Sequence, residues 1–176
     1  GGCRMTQTHT RSQRWVGVDV DTDALVQNVR ALVDLCAPSK VWAVVKANGY
    51  GHGAVVTSRA ALAGGAAGLA VALVQEAVEL RAAGIDSRIV VLSDQPVEQY
   101  GDLLTANAEI MVYRSESVEA LAEAASRLGT VARVHLKVDT GMRRVGTEPF
   151  AVESLIERIA NAPSIELVGL ATHFAT

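Results

Sequence analysis

Cysteine is scarce: Cys3 and Cys36 are the only two in 176 residues. Neither belongs to a CxxC pair or a Cys/His cluster, so a disulfide framework and a zinc site are both excluded, and free thiols in a reducing cytosol are expected. Aromatics make up only 4% of the chain, while the 49% apolar fraction rests on Ala, Val and Leu. That balance argues against an aromatic-rich β-sandwich and for helices packed on aliphatic strands. The net charge is −3, with no basic stripe interleaved with aromatics, so neither nucleic acid nor a membrane surface is expected as a partner. Long apolar runs are missing too. The most apolar stretch, 64–74, is broken by glycines and is too short to span a bilayer. The N-terminus lacks the apolar centre of a signal peptide. Residues 1–14 are polar and read as a flexible tail; Gly1–Arg4, ahead of Met5, read as an expression remnant. Residues 15–176 are expected to form one cytoplasmic domain.

What is present alternates regularly. Trp15–Val20 reads as a strand, and Asp21 or Thr22 is placed to cap a helix running to about Asp34, with Leu25, Val29, Leu32 and Val33 on one stripe. Six strand-like runs follow: Val41–Val45, Leu69–Leu73, Arg88–Leu92, Glu109–Tyr113, Ala132–Val138 and Ile165–His173. Ala-rich amphipathic segments separate them, among them Gln75–Ala83, Ser117–Arg127 and Phe150–Ala160. This is βαβ spacing, and continuously apolar strands imply a parallel sheet covered by helices. Lys46, Asp139 and His173 gather at or near the carboxyl ends of strands, the face on which α/β barrels build active sites. A doubly wound sheet would announce itself with a glycine-rich nucleotide loop, but 49–53 is neither GxGxxG nor GK[ST]. The fold class expected is therefore α/β, a (β/α)8 TIM barrel. The chain supplies about six of its βα units, and the remainder would come from missing residues or another chain.

The stretch AVVKANGYGHG, residues 43–53, breaks the pattern. A lysine after a strand is ordinarily a solvated loop residue. Lys46 instead ends an apolar run and is followed by three glycines, which permit close backbone approach to a bound group such as a phosphate. An amine at the rim of a low-dielectric core suits attack on a carbonyl, as in the Schiff-base lysines of pyridoxal phosphate chemistry.

This stretch closely resembles the cofactor motif of the bacterial alanine racemases, pyridoxal 5'-phosphate enzymes built on an eight-stranded α/β barrel. HLKVDTGMRRVG, residues 135–146, is similar to the family's second signature, and THFA, residues 172–175, to its third. All three occur in the family's order. One departure is Gly49, where the family often carries Ala; the change is expected to leave the site intact.

The resemblance implies roles. Lys46 would carry the cofactor as a Schiff base and act as one of two acid/bases at the substrate α-carbon. Tyr50 would bond the cofactor phosphate; otherwise it is a loop aromatic at the barrel mouth. Arg144 would reach the cofactor's phenolic oxygen and the substrate carboxylate; without the motif it reads as a surface arginine. Lys137, inside the fifth run, matches a lysine that is carbamylated in many members; the bland alternative is pairing with Asp139. His173 would support the site beside the ring, or else be a satisfied core histidine. Asn48 and His52 read as structural, and His9 and His135 as incidental. No metal is expected.

The resemblance further implies racemisation of a small amino acid, alanine, for a bacterial D-alanine supply to peptidoglycan. The second base would be a tyrosine from a C-terminal β domain of the partner in a homodimer, so this chain alone is expected to be inactive, or to need a complementary C-terminal chain. Alternatives are a broad-specificity or serine racemase and a non-catalytic pyridoxal phosphate-binding barrel protein.

Overall fold

A computed structural model describes residues 17–176. Trp15, Val16 and the proposed tail of residues 1–14 lie outside the described residues. Gly17–Val20, the rest of the first expected strand, joins no ladder. Helix α1 (Thr22–Cys36) follows, with Asp21 as its cap: Oδ1 accepts from the Ala24 amide at 3.0 Å. No residue of α1 is fully buried. Val29 and Val33 lean on the backbone at Gly64 and Gly65, while Leu32, expected on the same stripe, is 49% exposed.

Next come β1 (Trp42–Val44), the short turn α2 (Lys46–Tyr50), α3 (Ala54–Ala63), β2 (Gly68–Val71), α4 (Val74–Ala82) and β3 (Ile89–Val91). Then α5 (Tyr100–Thr105), β4 (Glu109–Val112), α6 (Ser115–Arg127), β5 (Ala132–Lys137), α7 (Val152–Ala160) and β6 (Ile165–Ala171) complete the described chain. The strands form one sheet in the order β1-β2-β3-β4-β5-β6, parallel at every pair. A doubly wound sheet reverses its order at a switch point; this one never does, as in a barrel. The architecture is a partial (β/α)8 barrel of six strands.

Side-chain parity separates the two faces of the sheet. Leu69, Val71, Ile89, Val91, Ile110, Val112 and Val134 are 0% exposed. They form one cluster with Ala77 and Leu80 of α4, Leu103 of α5, Leu121 and Ala125 of α6 and Ile159 of α7. All four helices therefore cover the same face. The other face, the inside of the barrel, carries Trp42, Gly68, Arg88, Glu109, His135 and Lys137 by the same register. Gly68 is required there, because a Cβ would stand 2.5 Å from the Trp42 ring.

The six expected runs are all strands, each within the expected bounds except β2, which begins one residue earlier at Gly68. One shortening affects a site residue. β6 ends at Ala171, so His173 lies beyond the strand and is exposed rather than held in the sheet. Two helices carried no sequence signal of their own. The residues of α3 are apolar on several sides instead of along one stripe, and α5 is only six residues long.

Candidate active site

Lys46 follows β1 by two residues and opens the turn α2, so it stands at the carboxyl end of the first ladder strand. The ladder closes just before it, where the Val45 amide donates to the Ala70 carbonyl at 2.9 Å. The backbone then turns left-handed for four residues: Ala47 (φ 51°), Asn48 (φ 53°), Gly49 (φ 62°) and Tyr50 (φ 53°). For residues with a Cβ this conformation costs roughly 1–2 kcal/mol each, less for Asn. Such a turn persists only where its surroundings enforce it.

Three contacts do so. The Ala47 amide donates to Glu76 Oε1 at 2.6 Å, while Glu76 Oε2 accepts from the amides of Ala72 (2.8 Å) and Leu73 (3.0 Å). Asn48 Oδ1 accepts from the Ala54 amide at 2.8 Å, fixing the start of α3. Thr57 closes the turn from outside. A Cβ on Gly49 would meet Thr57 Oγ1 at 2.5 Å, so the threonine occupies the space a methyl would need. His52 Nδ1 hydrogen-bonds the Gly49 carbonyl at 3.1 Å, in keeping with a structural role.

The second group follows β5. Lys137 is 6% exposed, and its side chain makes no hydrogen bond or ion pair among the described residues. The alternative pairing with Asp139 is not made. Burial lowers the Lys137 pKa, the nearby Arg144 guanidinium lowers it further, and Asp139 opposes both. Asp139 is spent on its own loop, where Oδ1 accepts from the amides of Gly141 (2.9 Å) and Arg143 (3.0 Å). These two bonds hold the Asp139 carboxyl below its ordinary range. Gly146, at φ 142°, lies against the Asp139 backbone, where a Cβ would come within 2.6 Å of the amide nitrogen. The loop is thereby pinned at both ends, with exposed Arg144 on a cleft lined by Asp139, Thr140, Arg143 and Glu148. Thr140 and Thr172 hydroxyls hydrogen-bond at 2.7 Å, and Thr172 donates to the Val138 carbonyl, which ties the segment before His173 to this loop.

Lys46 and Tyr50 thus share one turn, and Lys137 and Arg144 share one loop. No hydrogen bond or ion pair joins Lys46 to Arg144, or His173 to either, among the described residues. Tyr50 is 59% exposed at the rim. The set is predominantly cationic: Lys46, Lys137 and Arg144 form no ion pair among the described residues, although Asp139 and Glu148 line the same cleft as Arg144. An anionic ligand that also presents an electrophilic carbon fits such donors, and pyridoxal phosphate is of that kind.

The opposite end of the inner face is neutralised. Glu109 is 0% exposed and binds Arg88 through both oxygens (2.7 and 2.8 Å) and His135 Nε2 at 2.7 Å. Arg88 also lies over the Trp42 ring, 5.0 Å from its centroid. Burial pushes the Glu109 carboxyl up, but the hydrogen bonds from His135 and Arg88 outweigh it and hold the pKa down at about 2. His135, read from the sequence as incidental, is a partner in this network. Glu76 and Glu109 both escaped the sequence reading. Glu76 looked like one acid among several on an amphipathic helix. Its single signal was its position three residues after Leu73, where a helix-opening acid caps.

The model of the alanine racemase N-terminal domain matches residues 20–176. An alanine racemase from Symbiobacterium thermophilum is 44% identical over 158 residues, 90% of this chain and 42% of that protein. The crystal structure of alanine racemase from E. faecalis superposes with a TM-score of 0.84 at 38% identity, covering 89% of this chain and 43% of that one. Histidine racemase from Leuconostoc mesenteroides is also similar, with a TM-score of 0.83 at 27% identity over 88% of this chain and 42% of that one. The chain spans a little over two fifths of the length of these relatives. On the strength of that match, laid over a sequentially ordered parallel barrel with a lysine at the rim of its first ladder strand, the chain belongs to the alanine racemase family, as its N-terminal domain.

Proposed function

We propose that this chain is the cofactor-bearing barrel part of a pyridoxal phosphate-dependent racemase that interconverts L- and D-alanine. The observation that carries the proposal is the strained left-handed turn that opens at Lys46, at the carboxyl end of β1 in a parallel, sequentially ordered sheet. Pyridoxal phosphate, when bound, supplies the electron withdrawal that lets the substrate α-carbon give up its proton. Lys46 would hold the cofactor covalently, and as a free amine it would take or return that proton on one face. Tyr50 donates to the phosphate from the same turn. Arg144 offers a fixed cationic fork to the substrate carboxylate. Lys137, its charge disfavoured by burial and by Arg144, is suited to react as a free amine with carbon dioxide; the resulting anion would orient Arg144. His173 supports the site from beyond β6.

A second base on the opposite face is needed. Tyr100 does not serve, since it is 1% exposed and donates its hydroxyl to Asp94 Oδ1 at 2.9 Å. A tyrosine from elsewhere in the full polypeptide or from the partner of a homodimer fits the requirement. The likeness to a histidine racemase favours, as a second reading, a racemase acting on a wider range of amino acids. The test is the full polypeptide with pyridoxal phosphate, assayed against L-alanine, L-serine and L-histidine beside a Lys46→Ala variant. Turnover of alanine above the others, lost in the variant, is expected; no turnover of any amino acid, or turnover undiminished in the variant, rejects the proposal.

A further inference from the structure

The βα loops after β1 and β2 are joined at a single carboxylate. Strand pairing between them ends at the Val45–Ala70 bond, and the next amide of the Lys46 segment that points toward β2 belongs to Ala47. It finds no carbonyl there. It donates instead to Glu76 Oε1 at 2.6 Å, the shortest of the three bonds that this side chain accepts. Glu76 Oε2 meanwhile caps the opening of α4 through Ala72 and Leu73. The side chain is half-buried, and its two oxygens do different work. One serves its own helix. The other holds the peptide that directly follows Lys46.

We propose that Glu76 is a positioning residue for Lys46, an inference that rests on the assignment of Lys46 as the cofactor-bearing lysine. The Lys46–Ala47 peptide plane sets the direction of the Lys46 Cα–Cβ bond. Ala47, at φ 51°, has no intrinsic preference for the conformation that aims it. An ionised carboxylate is the strongest acceptor a protein can offer an amide, and this one is anchored by two further amides on a neighbouring loop. Releasing the Ala47 amide lets the peptide rotate back toward an ordinary conformation. The lysine nitrogen then swings on its long stem, and small misplacements at a reacting atom cost about 100-fold in rate.

The two functions of the carboxylate can be separated by one methylene. Glu76→Asp keeps an acid at the third position of α4, able to cap Leu73, but is too short to hold Ala47 as well. Glu76→Ala removes both functions, and Glu79→Ala, an exposed acid on the same helix, serves as the control. Each variant of the full polypeptide is titrated with pyridoxal phosphate. Covalent attachment is read by absorbance and by the mass fixed on the Lys46 peptide after borohydride reduction. Amide exchange is followed across residues 46–50, and thermal unfolding is recorded in parallel. Glu76→Asp is expected to unfold within a few degrees of the parent, yet to weaken attachment at Lys46 about 10-fold or more and to speed exchange in the turn. If Glu76→Asp attaches cofactor like the parent with unchanged exchange, Glu76 is only a helix cap and the inference is overturned. Should Glu76→Ala fail to fold, the Asp variant still decides. Attachment that persists in Lys46→Ala overturns the assignment beneath, a result distinct from either Glu76 outcome.

Discussion

The two ends of the barrel's inner face are both polar, and they are treated in opposite ways. At the amino end, Glu109 is enclosed by Arg88 and His135, with Trp42 lying against the arginine, and every charge there has a partner. At the carboxyl end Lys46, Lys137 and Arg144 form no ion pair among the described residues. Burying charge is costly wherever it occurs, and only the amino end offsets that cost within the chain. Paired charge at one end reads as architecture; the cations at the other, unpaired among the described residues, suit an anionic ligand. The difference can be broken from either side.

The largest effect is expected from Lys46→Ala. It should abolish covalent attachment of pyridoxal phosphate and lower turnover of the full polypeptide by at least about 1000-fold, as loss of an acid/base that is also the covalent anchor requires. Thermal unfolding of the cofactor-free protein should barely move, because the Lys46 side chain makes no hydrogen bond or ion pair among the described residues. A large loss of stability would show that the rim too is architecture.

Glu109→Gln should show the converse. It keeps the shape, removes the charge, and sets an amide NH2 against donors on Arg88 and His135. The cost should be roughly 3 kcal/mol, the lower end for a broken buried pair because Arg88 reaches solvent. Denaturant midpoints measure it, and the folded fraction should still attach cofactor at Lys46. The same network predicts acid sensitivity. A carboxyl held at about 2 when folded, against 4.5 when free, adds stability that is complete above about pH 4.5. That stability is lost as pH falls from 4.5 toward 2, and roughly 3 kcal/mol is at stake. In Glu109→Gln the corresponding part of the acid slope should vanish.

A smaller effect tests how the rim is held. Gly49→Ala places a methyl 2.5 Å from Thr57 Oγ1 in a left-handed residue, and should cost about 1–2 kcal/mol. Adding Thr57→Ala should recover part of that, leaving the conformational share. A Gly49→Ala variant as stable as the parent would mean that Thr57 moves aside freely.

These features were unequally legible in the sequence. The alternation of strand and helix, the parallel order and the position of Lys46 at a strand end follow from local patterns, and six strands stand where apolar runs of five to nine residues predicted them. The handedness of the turn after Lys46 does not follow, because glycines announce freedom without saying which conformation is taken. His173 was drawn into β6 by the apolar run before it, although the ladder stops at Ala171. Glu76 and Glu109 could not be read at all. An acid on a helix or at a strand start looks solvated until residues 21 to 29 positions away along the chain supply its donors.

Lys137 gives the most delicate test, since it separates a site built for an anion from one that is merely poorly packed. A lysine whose folded pKa is lowered binds fewer protons folded than unfolded, so its charged form opposes folding. The parent should therefore gain stability as pH rises toward the ordinary lysine value of 10.5, and Lys137→Met should lack that part of the gain. In buffer freed of carbon dioxide near neutral pH, Lys137→Met should be slightly the more stable protein, because the apolar stem remains and a charge that its surroundings disfavour is gone. Adding bicarbonate should then reverse the order: a carbamate on Lys137 carries the sign that Arg144 lacks a partner for, and the methionine variant cannot form one. If bicarbonate leaves both proteins unmoved, Lys137 stays an amine, and the positive rim must find its counter-charge in the ligand alone.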